Sequence, residues 1–147
     1  MSKLNFKKTI ILLLLAVDEK KLMSPIQIMK SLFLFKQKEK PQNFYDFFPY
    51  LYGPCSFDVY SDLKELISEG LIVEYRSFYS WNFYGITSKG EKALEKEFIE
   101  KKLKEKVEEI KKFILSKPFL ELLKYIYSNY PEFAQNAIIN PKTLEKL

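Results

Sequence analysis

The sequence predicts a mainly α-helical fold with one small β-hairpin, and three patterns support this prediction. The segment 24–27 reads Ser-Pro-Ile-Gln, a capping box with proline in the first helical turn, which is typical of a helix start. Residues 56–69 carry apolar side chains at helical spacing and precede Gly70, a common residue just past a helix end. Two β-rich segments, 71–76 and 81–87, then flank a short turn, as in a hairpin.

Composition and charge exclude several classes of protein. With 47% hydrophobic and 16% aromatic residues, the 147-residue chain has too much apolar character for a disordered protein. It contains no His and one cysteine, Cys55, so an internal disulfide or a thiolate or imidazole metal site is not expected. The commonest general base and a Gly-rich phosphate loop are also missing. We therefore expect no enzyme, no cofactor and no metal, and a reducing, cytoplasmic setting.

The first helix is expected over residues 5–18 and should be buried, because its second half is almost entirely apolar. Lys3, Lys7 and Lys8 before the apolar run 10–17 resemble the start of a short signal peptide. No small-residue cleavage site follows, and the run is much shorter than the ~20 residues that span a bilayer. We therefore predict a buried helix and no membrane contact.

The next elements follow from their capping and turn residues. The second helix should start after Ser24 and continue to about residue 36. The loop 37–55 should pack back onto the domain, because its aromatic side chains are too apolar for a free loop. Ser56 is a suitable N-cap for the third helix. A last helix is expected over 119–129, after a proline.

A long, charged helix is predicted between the hairpin and the last helix, over residues 89–115. Its apolar residues form a stripe that is roughly a coiled-coil seam. The seam's partner is either a second copy, which would give a homodimer, or the last helix of the same chain. Residues 1–90 would then form one domain and residues 91–147 a C-terminal extension for dimerisation or packing. The expected dimer contacts are Leu94, Phe98, Leu103, Val107 and Ile110.

Three helices followed by a hairpin resemble the winged helix-turn-helix order. The segment 84-YGITSKGEKAL-94 is similar to the exit from the wing into the next helix in many such regulators. The segments 29-MKSLFLF-35 and 50-YLYGPCSFDVYSDLKELISEGLI-72 resemble the YwgA-like and Panacea-type winged-helix families, which recur in defence and toxin–antitoxin loci. The helix after the wing also resembles that of PadR-type regulators, although their His-Gly-Tyr motif is missing. The resemblance implies a winged helix-turn-helix with a C-terminal helical extension that binds DNA or a protein partner.

The charge of the third helix poses a question for this interpretation. A helix that enters the major groove lies among phosphates, yet this one carries four carboxylates and one lysine, Lys64. Either the helix approaches DNA through its N-terminal end, with Ser56 and Ser61 near a phosphate, or the domain binds a protein. The carboxylates are those of Asp58, Asp62, Glu65 and Glu69.

The leading prediction is a transcriptional regulator that binds double-stranded DNA as a homodimer. The lysines around the second helix would contact phosphates, Lys64 would read bases, and Arg76 would enter the minor groove from the wing tip. The alternative is a protein-interaction module, such as an antitoxin or an accessory subunit of a defence system, with its partner at the acidic third helix. The candidate DNA-binding residues are Lys30, Lys36, Lys38, Ser56, Ser61, Lys64, Arg76 and Tyr79.

Overall fold

Helices account for most of the chain, and two antiparallel hairpins interrupt them. The computed structural model describes residues 4–19, 22–78 and 81–146. Within these ranges, no helix is both long enough and apolar enough to span a bilayer. The elements are α1 (Phe6–Ala16), α2 (Pro25–Glu39), β1 (Phe48–Tyr50), β2 (Gly53–Cys55), α3 (Phe57–Ser68), β3 (Ile72–Tyr75), β4 (Phe83–Ile86), α4 (Ser88–Glu95), α5 (Lys101–Leu115), α6 (Phe119–Asn129), a 3-10 turn (Pro131–Ala134) and α7 (Pro141–Leu144).

The starts of the first two helices follow from local capping. The Asn5 side chain accepts a hydrogen bond from the Lys8 amide at 2.9 Å and begins α1. At α2, the Gln27 amide donates to Ser24 Oγ, and the Ser24 amide donates back to the Gln27 side chain, which completes the predicted capping box. The apolar half of α1 is buried in the core, as predicted.

The segment between α2 and α3 packs onto the domain, as the aromatic residues predict. Tyr45 and Phe44 are buried. A hairpin that the sequence analysis did not predict follows, with Phe48 opposite Cys55 and Tyr50 opposite Gly53. Gly53 has a φ of +103°, which a residue with a side chain adopts only with strain, so the turn depends on this glycine. The hairpin occupies the place between α2 and α3 where a loop was expected.

The helix and hairpin predicted for residues 56–87 are confirmed. One face of α3 enters the core, and the chain leaves the helix through Gly70, at a φ of +76°. Strands β3 and β4 then pair antiparallel, with Ile72 opposite Ile86. Met23, just before α2, exchanges two backbone hydrogen bonds with Tyr84, of 3.0 and 2.8 Å. This pairing attaches β4 of the hairpin to the start of α2.

The prediction of one continuous helix over residues 89–115 is wrong. Helix α4 ends at Glu95, and α5 begins only at Lys101. A straight helix of this length would extend about 40 Å, beyond the width of a small domain. The break at residues 96–100 instead allows both α4 and α5 to pack against α1. Phe98 lies in the break and is 90% exposed.

The predicted apolar seam is therefore covered mainly within the monomer. Val107, Ile110 and Ile114 of α5 are buried in the core, where α5 packs against α1 and α2. Two of the expected dimer contacts, Val107 and Ile110, are thus unavailable to a second copy. The seam's main partner is also not α6, which meets α5 through Phe113 and Tyr125. One buried cluster includes residues from both sides of the boundary predicted at residue 90.

Candidate nucleic-acid interface on the third helix

The period of 3.6 residues per turn gives α3 three distinct faces. Its core face holds Val59, Leu63 and Leu66, which are buried. Its carboxylates recur every three or four residues along one side, here called the acidic flank: Asp58, Asp62, Glu65 and Glu69. Opposite the core lies the outer face, whose four residues are all exposed: Phe57, Ser61, Lys64 and Ser68.

The acidic flank contacts groups of the same chain. The Tyr45 hydroxyl donates a short hydrogen bond to Asp62 Oδ2. Lys8 of α1 forms an ion pair with Glu65, at 2.5 Å, and its Nζ lies 3.7 Å from Glu69 Oε1. Lys8 is only 4% exposed although it carries a charge, so the two carboxylates compensate its burial. Three of the four carboxylates are therefore directed at α1 and at the segment before β1.

The pKa directions agree with this geometry. The pKa of Lys8 is raised, chiefly by its hydrogen bond with Glu65, although burial acts in the opposite direction. The pKa of the Tyr45 hydroxyl is raised far above its ordinary value, first by burial and then by the hydrogen bond to Asp62. Both groups therefore keep their protons at neutral pH, and both donate hydrogen bonds to the acidic flank.

The outer face carries no carboxylate and one cation. Lys64 lies between two exposed hydroxyl groups, those of Ser61 and Ser68, one turn away on either side. Phe57 occupies the N-terminal end of the face and is 58% exposed. Two predicted site residues, Ser61 and Lys64, therefore share one solvent-exposed surface. This face can donate hydrogen bonds from the Lys64 amine and the Ser61 hydroxyl, whereas the Ser68 hydroxyl already donates to the Glu65 carbonyl oxygen at 2.8 Å.

The predicted lysines of α2 have different environments. Lys30 is 2% exposed, and its Nζ donates a 2.7 Å hydrogen bond to the Tyr52 carbonyl oxygen. Burial lowers the pKa of Lys30 to about 8. Because a phosphate cannot reach this buried amine, we remove Lys30 from the candidate interface.

Lys36 and Lys38 lie at the other end of α2. Lys36 donates to the Tyr45 carbonyl oxygen at 2.6 Å and forms an ion pair with Asp46 at 3.1 Å. Its charge is therefore already partly neutralised. Lys38 is exposed, with its Nζ 5.8 Å from the centre of the Phe113 ring. Of the three lysines, only Lys38 offers an exposed ammonium that is not in an ion pair with a carboxylate.

Ser56 is the N-cap of α3, as predicted, but it does not form the expected phosphate site. The residue is 3% exposed, and its side chain makes no capping hydrogen bond. Its amide instead points at the sulfur of Met29, 3.4 Å away. The hydroxyl is thus enclosed by the α2 side of the core, so a phosphate at the helix end could not contact it.

The hairpin places its basic residue at the surface. Arg76 follows β3 and is exposed, and the neighbouring Phe78 is fully exposed. Tyr79, the remaining predicted contact, lies outside the described residues. Among the predicted cations that the structure describes, Lys64, Arg76 and Lys38 are exposed. Lys89, which was not predicted, is also exposed, and its Nζ donates to the Glu69 carbonyl oxygen just after α3.

Lys8 and Tyr45, which bind the acidic flank, were not among the predicted site residues. One signal was available, because residues 58, 62, 65 and 69 fall on one side of a helix and residues 57, 61, 64 and 68 on another. The spacing therefore separates an acidic side of the helix from a side that carries no carboxylate. It does not show which of them meets α1, since that depends on the packing of distant segments.

Comparisons with known proteins add no assignment. No protein-family model matches the chain, and no curated protein matches it significantly. A function for this surface is therefore inferred from its chemistry.

Proposed function

We propose that the protein binds double-stranded DNA as a winged helix and acts as a transcriptional regulator. Helix α3 would enter the major groove, and the β3–β4 hairpin would be the wing. The order of α1, α2, α3 and the hairpin supports this assignment. So does the backbone pairing of Met23 with Tyr84, which holds the hairpin against the start of α2.

The observation that carries the proposal is the orientation of the acidic flank. A recognition helix with four free carboxylates would be repelled by phosphates. Here Tyr45 and Lys8 of the same chain bind Asp62, Glu65 and Glu69, although the Glu65 side chain remains 57% exposed. The face turned away from the core presents Lys64 and the Ser61 hydroxyl, which suit the acceptor-rich edges of guanine in the major groove.

The roles of the individual residues follow from their exposure. Lys64 would donate to guanine, with Ser61 contacting a base or a phosphate beside it. Arg76 would lie in the minor groove, where a narrow width strengthens the negative potential. Lys38 would contact a phosphate. About three cations would take part in DNA binding. A plot of the logarithm of the association constant against the logarithm of the salt concentration should then have a slope of about −2.7, which is shallow for a DNA-binding protein.

The experiment is a fluorescence-anisotropy titration of duplexes selected from a random pool, at two salt concentrations. Lys64→Ala should weaken binding roughly tenfold and reduce the salt slope by about 0.9. Lys142→Ala, which removes an exposed lysine from α7, is the matched control and should change neither quantity. Equal losses in the two variants, or no binding of any duplex at low salt, would contradict the proposal.

A second candidate function, a protein-interaction module, is favoured by an exposed aromatic cluster. Phe57 at the start of α3 packs against Phe48 and Tyr50 of the β1–β2 hairpin, with ring centroids 5.1 and 5.8 Å apart. Exposed aromatic clusters are common anchors of protein interfaces. If the protein is such a module, Phe57→Ala should abolish capture of a cellular protein, and Lys64→Ala should leave it unchanged. If the protein binds DNA, Lys64→Ala should lower DNA affinity more than Phe57→Ala does.

Homodimerisation stays a prediction, with a smaller set of contacts. Of the expected seam, Phe98 is strongly exposed, and Leu94 and Leu103 are half-buried. A two-fold contact would therefore involve the α4–α5 connection, where Phe98 lies, in place of the buried face of α5. The binding of DNA half-sites by two copies depends on such a contact.

A further inference from the structure

A groove on the hairpin side of the molecule has no part in the proposed DNA contacts. It has a volume of about 580 Å³ and lies between the start of α2, both hairpins and α6. Among the described residues, four aromatic side chains line it: Tyr52 from the β1–β2 turn, Trp81 and Phe83 from the second hairpin, and Phe119 from α6. We call this the aromatic groove.

The walls of the aromatic groove are tied to the core by specific contacts. The buried Lys30 ammonium donates to the Tyr52 carbonyl oxygen and lies 5.6 Å from the centre of the Phe119 ring. The Tyr52 and Phe119 rings meet edge to face, with centroids 5.8 Å apart. One lysine therefore holds two of the four aromatic walls in place, although it does not itself line the groove. Such a site is largely formed before any ligand binds.

The size and lining of the groove fit a small molecule. Its volume falls within the range of about 300–1,000 Å³ that is usual for small-molecule sites. The aromatic residues Tyr52, Trp81 and Phe119 are each partly exposed, so they leave ring surface accessible from solvent. Such rings bind a flat, unsaturated ligand best, through stacked or edge-to-face contacts.

The charged residues that line the groove indicate the charge of the ligand. In the described part of the chain, Lys117 is the only lysine or arginine that lines the groove, and no carboxylate does so. Lys117 is exposed at the rim, 5.6 Å from the centre of the Phe113 ring. The start of α2, at Ser24 and Gln27, also opens onto the groove and contributes the positive end of a helix dipole. Both features favour a negative group and disfavour a positive one.

We propose that the aromatic groove binds a small planar aromatic anion, with its ring between Trp81 and Phe119 and its negative group at Lys117. The ligand class follows from the rings, the volume and the single cation. The binding step does not depend on whether the protein binds DNA, so the two proposals can fail separately.

The chain offers a direct reporter of this binding. Trp81 is its only tryptophan, so its indole N–H gives one resonance in a proton–nitrogen NMR spectrum of the intact protein. The probe is 2-naphthoate, with the neutral 2-naphthamide and the cationic 2-naphthylmethylammonium as matched compounds. We expect saturable shifts of the indole resonance with the carboxylate, weaker binding of the amide, and the weakest binding of the ammonium.

Two variants test the role of the cation. Lys117→Gln should weaken naphthoate binding about three- to fivefold, as expected for an exposed ion pair, and leave naphthamide binding unchanged. Lys112→Gln removes a lysine that forms an ion pair with Glu108 and does not line the groove, and it should have no effect. An indole resonance that no probe shifts, ammonium binding as strong as carboxylate binding, or equal effects of the two variants would overturn the proposal.

Discussion

The contact between Tyr45 and Asp62 makes the acidic flank of α3 testable, and Tyr45→Phe is the smallest change that removes it. The substitution deletes one hydroxyl group and keeps the ring. The contacts of that ring with Phe44 and Phe47, at centroid distances of 5.0 and 6.4 Å, should therefore remain. Only the hydrogen bond to the Asp62 carboxylate is lost.

The magnitude follows from the burial of the two partners. A hydrogen bond to a charged group contributes about 1.5–3 kcal/mol, and the cost of losing it is greatest when the remaining group stays buried. Tyr45 is fully buried, but Asp62 is only half-buried and can bind water when the hydroxyl is gone. We therefore expect Tyr45→Phe to lower the free energy of unfolding by about 1–2 kcal/mol near neutral pH.

The difference in the free energy of unfolding between wild type and Tyr45→Phe should also depend on pH, and it should become smaller as the pH rises. The pKa of Tyr45 is raised in the folded state, so the folded protein keeps this proton when the unfolded chain loses it, above a pH of about 10. The stabilisation is therefore complete below pH 10 and is lost as the pH rises further, by up to about 1.4 kcal/mol per pH unit. At about pH 11, the gap between wild type and Tyr45→Phe should shrink by about 1.4 kcal/mol.

The assay is urea denaturation of both proteins at about pH 8 and about pH 11, analysed by linear extrapolation. Tyr75→Phe, which alters an exposed tyrosine of β3, is the control and should leave the free energy of unfolding nearly unchanged. A gap between wild type and Tyr45→Phe that stays constant or widens at high pH would refute the buried hydrogen bond. No destabilisation at pH 8 would refute its contribution to stability.

Three further predictions concern the core and its buried lysine. Burial lowers the pKa of Lys30 to about 8 from 10.5, so the unfolded chain binds more protons between these values, and the free energy of unfolding should rise with pH over that window. Denaturation across the window should show this rise in wild type and its loss in Lys30→Met. Gly90→Ala should destabilise the protein by about 1–3 kcal/mol in thermal unfolding, because the added Cβ would lie 2.1 Å from the Leu71 carbonyl oxygen. In a helix with open space at that position, the same substitution would stabilise the protein. Ile110→Ala should cost about 2–5 kcal/mol and Phe98→Ala less than about 0.5 kcal/mol in urea denaturation, with the reverse order contradicting the burial of α5 in the monomer.

The features predicted correctly depend on residues close together in the chain. The capping box at 24–27 and the glycine after α3 satisfy backbone groups within a few residues, so they act in the same way in any surrounding structure. The β3–β4 hairpin likewise follows from two β-rich segments and a short turn. The sequence by itself therefore determined where α2 begins, where α3 ends and that a hairpin follows α3.

The accessibility of the charged residues was decided only by the tertiary structure. Lys30 and Lys38 lie on the same helix and look alike in the sequence, yet one is buried under the β1–β2 hairpin and the other is exposed. The α4–α5 break likewise arises because both helices pack against α1, which no local pattern in 89–115 specifies. Three carboxylates of the acidic flank are bound within the chain, because Lys8 and Tyr45, from distant segments, meet them at the surface. A sequence shows which side chains share a helix face, but the free energy of burying a charge depends on partners that only folding brings within reach.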